Sequence, residues 1–373
     1  MPDPIVEHEN FSISIGGKEV TGLYPDLAGL EVEMDDELAG MFRLRIAIMQ
    51  QQDGTWSYLD DKQFAVWKKV TITAGFESGA EELFSGYITH IRPYFDPDPS
   101  QCMLEVWGMD ASVLMDREEK LKDWPDKKDS DIASEIFRLY SLTPEVENTY
   151  IVHDQAISTI IQRETDMQFL RRLALRNGFE CYVEGTTKGY FRKPKVDSTP
   201  QPVLAMHFGP ETNLGRFSIE VNPLTPGKVT MFQMDRTNKE TLTTTAEASQ
   251  LAALGRTNAA GLLPPGMKHG QTYISVNAAT GNPEMAALCQ GIFHQAEWFV
   301  TGKGEINANH YGHVLKPRGI VTIKGVGETY SGIYYVTHVT HSFTTQGYLQ
   351  SFRVKRNGIM LLGSEDFSAH SGI

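Results

Sequence analysis

The sequence predicts an α+β fold that is predominantly antiparallel β, with two similar β-barrel domains and an intervening helix–ribbon domain. The first hundred residues alternate apolar and polar side chains with period two, as in Phe11, Ile13 and Ile15. The middle of the chain places apolar side chains at helical spacing, and the last hundred residues return to period two. Several strands without intervening helices favour a barrel or a sandwich.

The first barrel is predicted from a series of strands. In the strands around Val32 and Leu44, apolar residues alternate with polar or charged ones, so one face is buried and the other meets solvent or a partner. The acidic, glycine-containing segment 35–40 between them is typical of a hairpin with a longer loop. Further strands are predicted at 66–76, 83–93 and 101–108.

Two helices and a ribbon are predicted next. Ser130 is a candidate N-cap for a first helix, whose apolar side carries Ile132, Ile136, Leu139 and Tyr140. In the second helix, Thr165 and Gln168 have capping-box spacing, and Asp166 suits the positive helix end. The apolar stripe of this helix comprises Phe169, Leu170, Leu173 and Ala174. Gly178 is a natural stop, and the segments 179–184 and 190–192 form a hairpin.

The second barrel is predicted beyond a proline-rich linker at 194–202. Strands are expected at 216–221 and 228–235, and a short helix at 246–254, capped by Thr244 or Thr245. Residues 236–282 are interpreted as a long excursion, and Asn282-Pro283 opens a helix that runs to about Phe299. The predicted division is a first barrel at 1–125, a helix and hairpin domain at 126–200, a second barrel at 201–358 with an insertion at 236–300, and a tail at 359–373.

A weak internal echo accompanies the two strand-rich regions. Val70-Thr71-Ile72, Phe84-Ser85-Gly86 and Thr89-His90-Ile91 have counterparts at 321–323, 330–332 and 337–339. The echo indicates either a duplicated barrel or a chance likeness between two strand-rich regions.

Composition excludes several classes of protein. Of 373 residues, 40% are hydrophobic and 22% charged, which is typical of a globular chain and not of a disordered one. The 34 basic and 47 acidic residues give a net charge of −13, so neither nucleic acid binding nor membrane-surface binding is predicted. No uncharged apolar stretch approaches the ~18–20 residues that cross a bilayer, so no membrane insertion is predicted either.

The cysteines and the N-terminus favour a reducing compartment. Cys102, Cys181 and Cys289 are odd in number and far apart, which argues against a disulfide framework or a structural zinc site. Residues 1–8 have no basic start and no apolar run, so no signal peptide is predicted.

No motif selects a catalytic, cofactor or metal site, and none is predicted. The sequence lacks a GxxxxGK loop, a GxSxG elbow and an HExxH pair. The histidine pairs 310/313 and 338/341 have a spacing that points side chains to opposite faces of a strand. The acid pairs 35–36 and 81–82 are interpreted as solvated strand edges, and Arg171, Arg172 and Arg176 as cations near the helix C-terminus.

Residues 161–183 resemble a signature of the phage late control D proteins and of the hub part of VgrG spike proteins. The matching residues are Glu164, Thr165, Asp166, Gln168, Phe169, Leu170, Arg171, Arg172, Leu173, Gly178 and Phe179, followed by an aromatic-rich strand. The order of barrel, helix–ribbon unit and second barrel also matches over nearly the whole chain. In that family the motif is structural, so the resemblance implies no catalytic residue and no cofactor.

The resemblance implies a baseplate hub of a contractile phage tail or injection system. Because only 17 residues follow Arg356, it is to the short hub without the C-terminal spike. The implied partners are two further copies of the chain, a hexameric inner tube or tube-initiator protein, a trimeric spike protein and other baseplate components. The implied location is the baseplate of a virion or injection particle that is assembled in the bacterial cytoplasm. Two alike barrels per chain would let a trimer present six alike modules, and so act as a symmetry adaptor.

Two alternatives remain open from the residues. A tail-associated cell-wall hydrolase would need two carboxylates that converge across a cleft, or a zinc triad, and the sequence selects neither. A carbohydrate-binding barrel protein would need exposed aromatic side chains in a groove and would not need helices between its barrels.

Overall fold

The computed structural model describes residues 11–59, 62–76, 79–156, 159–235, 238–274 and 279–368. The predicted lack of a signal peptide concerns residues 1–8, which lie outside the described residues. The strands are β1 (Phe11–Ile15), β2 (Lys18–Glu19), β3 (Leu27–Asp35), β4 (Met41–Ala47), β5 (Lys69–Phe76), β6 (Gly79–Tyr94), β7 (Met103–Met109), β8 (Lys122–Trp124), β9 (Thr143–Val146), β10 (Ile160–Gln162), β11 (Glu180–Glu184), β12 (Lys188–Arg192), β13 (Gln201–Ala205), β14 (Leu214–Val221), β15 (Lys228–Met234), β16 (Thr241–Ala246), β17 (Gln271–Ile274), β18 (Val300–Asn307), β19 (Ile320–Lys324), β20 (Gly332–Thr344) and β21 (Gly347–Arg356). The helices are α1 (Ser112–Met115), α2 (Asp129–Leu139), α3 (Asp166–Asn177), α4 (Asn282–Ala296) and α5 (Ala308–Tyr311).

A 13-stranded sheet connects the beginning and the end of the chain. In its first half the strands lie in the order β5-β6-β7-β4-β3, and in its second half in the order β19-β20-β21-β18-β14. All neighbours within these two series are antiparallel. The outer strands differ, since β1 is antiparallel to β5 whereas β13 is parallel to β19. The prediction of a predominantly antiparallel α+β fold is confirmed.

Each half of the sheet has an apolar core, and four side chains of the second half, Ala308, Val314, Phe343 and Tyr348, also join the first core. The first core joins side chains from all the longer strands of the first half, and the second core does the same for the other half. Val32 and Leu44 are fully buried, and their neighbours in sequence are more exposed, as period two predicts. Burying one face of every strand supplies most of the stabilisation of both halves.

The helix–ribbon unit lies between the two halves in sequence and has a core of its own. In it, α2 and α3 pack with a three-stranded sheet of order β11-β12-β9. The predicted start of α2 is two residues late, because Lys128 and not Ser130 is the N-cap, and the N–H of Ser130 donates to Thr149 Oγ1 at 3.0 Å. Its predicted stripe was also wrong at one position. Leu139 is 64% exposed, and Phe137 is buried instead.

A separate three-stranded sheet, β16-β15-β17, and α4 lie between β14 and β18 in sequence and share a fourth core. The helix predicted at 246–254 is wrong. Thr244 and Thr245 belong to β16, and Thr245 Oγ1 lies 3.0 Å from Thr230 Oγ1 on β15. The β-branched side chains of this threonine-rich run pack well in a strand and poorly in a helix, and the partner strand decides between the two.

The register of the sheet corrects one part of the predicted echo. Thr89 and Thr337 are both bulge residues of the longest strand of their half. Val70 on β5 and Val321 on β19 pair with these long strands at the same distance from the bulge, so the two valines occupy matching positions. The middle part fails, because the ladders make Phe84 equivalent to Gly332 and not to Tyr330. The likeness between 84–86 and 330–332 is therefore coincidental, because the two segments are two residues out of register in the sheet.

Candidate functional site

Helix α3 begins and ends where its sequence predicts. Thr165 is the N-cap with extended backbone, and its Oγ1 accepts a hydrogen bond from the Gln168 N–H at 3.3 Å. Gly178 ends the helix in the left-handed conformation, with φ of 66°. A side chain there would also meet His294 on α4, because a Cβ at Gly178 would lie 2.7 Å from His294 Nδ1. Gly178 therefore provides both the turn and the close packing of α3 on α4.

The acidic residue of the first turn does more than complement the helix dipole. Asp166 is buried and forms an ion pair with Lys120, and it accepts hydrogen bonds from Gln162 Nε2 and Tyr140 OH, each at 2.7 Å. Burial raises its pKa, but these donors outweigh burial and hold the pKa below its usual value. Asp166 thus joins α3 to α2 and to the segment that precedes β8.

The remaining motif residues divide by side of the helix. Phe169, Leu170 and Leu173 are fully buried in the core of the helix–ribbon unit. On the outer side, Arg172 Nε donates to Glu164 Oε1 at 2.6 Å, and its Nη2 donates to the Ile161 carbonyl at 2.9 Å. Phe179 packs edge-on against Phe191, with 5.3 Å between ring centroids. The motif therefore holds the unit together, and it remains a prediction that the same residues mark a family.

Arg176 has a role that the helix-dipole interpretation missed. Its Nη2 donates to Glu284 Oε1 at 2.6 Å, and its Nε lies 3.2 Å from Asp129 Oδ2. His153 completes the group, with Nε2 3.0 Å from Asp129 Oδ1. All the partners are buried. We call Asp129, His153, Arg176 and Glu284 the buried charge cluster. It joins α2 and α3 to α4, and so connects the helix–ribbon unit to the inserted segment of the second half.

The hydroxyl of Thr165 offers a small, direct test of the motif. Thr165→Ala removes the cap of α3 and leaves Asp116, which accepts a hydrogen bond from Thr165 Oγ1, without that donor. We expect the free energy of unfolding in urea to fall by about 1–2 kcal/mol. Thr165→Ser retains the hydroxyl and should lose less than half of that amount. Equal losses for the two variants would contradict a capping role.

The two halves of the sheet meet where β3 pairs with β20. The ladder runs from His338 opposite Asp35 to Phe343 opposite Leu30. His338 Nδ1 lies 3.0 Å from Asp35 Oδ2, and its Nε2 lies 3.2 Å from Glu33 Oε1. We call this ladder the internal junction. His338 and its two carboxylate partners lie at the polar end of this ladder.

The interpretation of Asp35 and Asp36 as a solvated edge is wrong. Asp36 is 7% exposed and accepts a hydrogen bond from Lys355 Nζ at 2.9 Å. Burial raises the pKa of Asp35, but hydrogen bonds from His338 and from the N–H groups of Glu37 and Leu38 lower it to about 2. Both carboxylates are therefore engaged, Asp35 at the internal junction and Asp36 beside it. Sequence could not show this, because their partners lie about 300 positions away.

A cavity of about 460 Å³ lies beside α3 and α4, and its lining includes Asp36, Arg171, Glu180 and Trp298. Asp36 and Glu180 in its wall each have a partner, since Asp36 accepts a hydrogen bond from Lys355 Nζ and Glu180 accepts one from Tyr335 OH. Among the described residues, no three His, Cys, Asp or Glu side chains are grouped so as to hold a metal ion. None of the described helices is long and apolar enough to cross a membrane.

Solved structures with this fold include phage tail and secretion proteins. The 43 kDa tail protein of prophage MuSo2 from Shewanella oneidensis is 13% identical, with a TM-score of 0.64 over 93% of this chain and 98% of that chain. A tail protein from Neisseria meningitidis MC58 is 14% identical, with a TM-score of 0.64 over 93% and 96%. An Escherichia coli type VI secretion component, described as similar to the T4 bacteriophage tail proteins gp27 and gp5, is 12% identical, with a TM-score of 0.51 over 92% and 76%. The chain therefore has the fold of this class of tail and secretion proteins.

The chain belongs to the Alg8 N-terminal domain family, whose model matches residues 6–345. No curated protein matches the sequence. The matched description does not name the late control D family that residues 161–183 resemble. The tail-protein fold supports that resemblance at the coarser level.

Proposed function

We propose that the chain is a non-enzymatic structural hub of a contractile phage tail or injection-system baseplate, related to the late control D and VgrG hubs. The observation that carries the proposal is the repeated series of five antiparallel strands, β5-β6-β7-β4-β3 and β19-β20-β21-β18-β14. Two such series per chain let three chains present six similar modules around one axis. The tail-protein fold supports the setting.

In this role a homotrimer adapts a six-fold tube to a three-fold spike. One face of the ring meets the hexameric inner tube or tube-initiator protein, and the other meets a trimeric spike protein and other baseplate components. Closed cyclic assembly through unlike surfaces is the expected mode of association. The particle is assembled in the bacterial cytoplasm and becomes part of a virion or injection machine.

The domain division at 1–125, 126–200, 201–358 and 359–373 belongs to the same proposal. The separate cores of the two half-sheets and of the helix–ribbon unit support its boundaries. The β16-β15-β17 sheet and α4 fall in the proposed insertion, 236–300, apart from β15, which precedes it.

The proposal predicts the mass of the particle in solution. Static light scattering should give three times the 41.7 kDa of the chain, alone or after addition of its spike and tube partners. Negative-stain images should then show rings. A chain that stays monomeric at high concentration with both partners present would rule out the hub. Clearing of purified peptidoglycan by the protein would instead support the hydrolase alternative.

A further inference from the structure

The internal junction gives a template for contacts between chains. It pairs the edge strand of the first half, β3, with the long strand of the second half, β20. If the second half is equivalent to the first, its own edge strand, β14, needs the long strand of another first half, β6. The first half of the same chain cannot supply this β6, because it already lies on the other side of the second half, at the internal junction. A second copy of the chain can supply it.

Two pairs of bulges show that the halves are equivalent in register as well as in strand order. The long strands β6 and β20 each have a bulge in the ladder to the following strand, at Thr89 against β7 and at Thr337 against β21. The edge strands β3 and β14 each have one, at Ala28 and Gly215. Bulges are specific features of a ladder and fix which residues correspond. His90 is thereby equivalent to His338, and residues 30–35 to residues 217–222.

A backbone feature agrees with this correspondence. Trp67 and Arg318 stand just before β5 and β19, and both have left-handed backbone, with φ of 70° and 64°. Their N–H groups donate to the carbonyls of Ile88 and Val336, in both cases at 2.8 Å. Such a conformation is uncommon for residues with large side chains, so its occurrence at the same point of both halves is independent support.

The edges that the template requires are open. In the part of the chain that the structure describes, β14 pairs only with β18, and β6 has no partner beyond Ile88 on the side away from β7. Tyr94 and Phe95 at this edge are 51% and 52% exposed. Phe343, which is equivalent to Phe95, is buried at the internal junction. The first half thus exposes at its edge the ring of Phe95, whose counterpart Phe343 is covered in the second half.

We propose that residues 217–222, at the end of β14 in one copy of the chain, pair antiparallel with residues 90–95, at the end of β6 in the next copy, in the register of the internal junction. The inference rests on the proposed hub, because it supplies the contact that joins three chains. The pairs transferred from the template are Asn222 with His90, Val221 with Ile91, Glu220 with Arg92, Ile219 with Pro93, Ser218 with Tyr94, and Phe217 with Phe95.

The side chains that this register brings together are complementary. Arg92, whose side chain is 71% exposed, faces the exposed carboxylate of Glu220. Phe95 faces the partly exposed Phe217. Opposite charges and apolar pairs directly across a ladder stabilise it. Pro93 lacks an N–H, so the ladder has one hydrogen bond fewer than the template, and the same proline discourages other strands from adding to this edge.

Disulfide trapping tests the register. In the template the Asp36 N–H donates to the Thr337 carbonyl at 2.8 Å, so the pair Thr340–Glu33 is a non-hydrogen-bonded one. The equivalent pair of Arg92 and Glu220 then has a Cα–Cα distance of about 4.5 Å, within the ~4.4–6.8 Å that a disulfide spans. The native cysteines are buried and give little background.

The double variant Arg92→Cys/Glu220→Cys should form covalent dimers and trimers under mild oxidation. The matched control is Arg92→Cys/Arg216→Cys, which places the second cysteine on the same strand and side four residues out of register. We expect cross-linking at least about tenfold faster in the first variant, because ~7 Å between Cα atoms is the limit for a disulfide. Equal rates in the two variants would overturn the register.

A charge exchange provides a second readout that does not depend on cysteines. Arg92→Glu and Glu220→Arg should each shift the protein from trimer to monomer in light scattering, and the double variant Arg92→Glu/Glu220→Arg should restore the trimer. All three change exposed side chains, so circular dichroism should match the parent protein. A double variant no better than the single ones would contradict the pairing.

The outcomes separate this inference from the proposed function. A trimer by mass that does not cross-link at 92 and 220 overturns the β14–β6 pairing and leaves the hub intact. Cross-linked chains that extend beyond three overturn the three-chain ring and support the pairing. A protein that is monomeric and does not cross-link, with its tube and spike partners present, overturns both.

Discussion

Arg356→Met should lower the free energy of unfolding by about 3 kcal/mol, because it leaves buried carbonyls without a donor. Arg356 is the last residue of β21 and is fully buried. Its Nε donates to the Leu254 carbonyl at 2.7 Å, and its two Nη atoms donate to the carbonyls of Ser331 and Met360 at 3.2 and 2.8 Å. One guanidinium therefore joins three segments that are distant in sequence.

Urea denaturation measures this loss, and hydrogen exchange shows where it acts. The strongest loss of amide protection should fall at Thr257 and Ile359, which exchange two backbone hydrogen bonds at 3.0 and 2.8 Å beside the guanidinium's partners. Arg356→Lys should recover only part of the stability, since an ammonium group is a single point charge and cannot reach three separate carbonyls as a planar guanidinium does.

Arg353→Met is the matched control for Arg356. Arg353 lies on the same strand, three residues earlier, and its side chain is exposed. Its replacement should change the free energy of unfolding by no more than about 0.5 kcal/mol. The bridging role of Arg356 is wrong if the two methionine variants unfold at the same urea concentration.

Arg176→Met should cost about 3–5 kcal/mol at neutral pH, because it removes a cation from the buried charge cluster. Asp129 and Glu284 would remain buried, with His153 as their remaining partner in the cluster. The helix–ribbon unit and α4 should separate more readily, since Arg176 contacts a carboxylate on each side. Arg172→Met, one turn earlier on α3, removes a partly exposed pair with Glu164 and an exposed hydrogen bond to the Ile161 carbonyl, and should cost less than about 1 kcal/mol.

The pH dependence of stability gives this prediction a second readout. Burial raises the pKa of Glu284, but hydrogen bonds from His153 and Thr280 and the charge of Arg176 lower it to about 2 from an ordinary 4.5. A lowered pKa contributes stability that is present above pH ~4.5 and is lost as the pH falls toward 2, on the order of 2–3 kcal/mol. His153 acts in the opposite sense. Burial lowers its pKa, but hydrogen bonds to Asp129 and Glu284 raise it by more, so the net pKa lies above the ordinary value.

In Arg176→Met the pKa of Glu284 should rise, so the variant should lose less folding stability than the parent protein as the pH falls. The difference in free energy of unfolding between the parent and the variant should be largest at pH 7 and should narrow below pH ~4.5. Urea titrations at pH 7, 5 and 3.5 would measure it. A difference that is constant with pH would mean that Arg176 contributes by packing and not by its charge.

Local chemistry was enough to predict the elements that depend on neighbours in sequence. Period two predicted strands β3 and β4, because each has one buried face regardless of which strand lies beside it. The cap at Thr165 and the stop at Gly178 predicted α3 to within a residue at both ends, because each signal is a hydrogen bond or a backbone conformation within a few residues. The helix signals failed for 246–254, because the predicted caps Thr244 and Thr245 belong to β16, which pairs with β15.

The roles of charged residues lay beyond sequence reasoning. Asp36, Arg176 and Arg356 carry ordinary polar side chains in the sequence, and nothing local marks them as buried. Each has at least one partner that comes from a segment about 100 to 300 residues away. Only the packing of those segments removes the charges from water and makes their pairing necessary.

The amino-acid pattern alone established an acidic, mostly antiparallel β chain with helices in its middle and a suggestion of two like halves. The folded chain added the order of the strands, the matching bulges at Thr89 and Thr337, and the internal junction. The physical reason is the range of the forces involved. Alternation and caps act between near neighbours, whereas pairing and register depend on which distant strands meet, and each pattern of alternation is compatible with many partners.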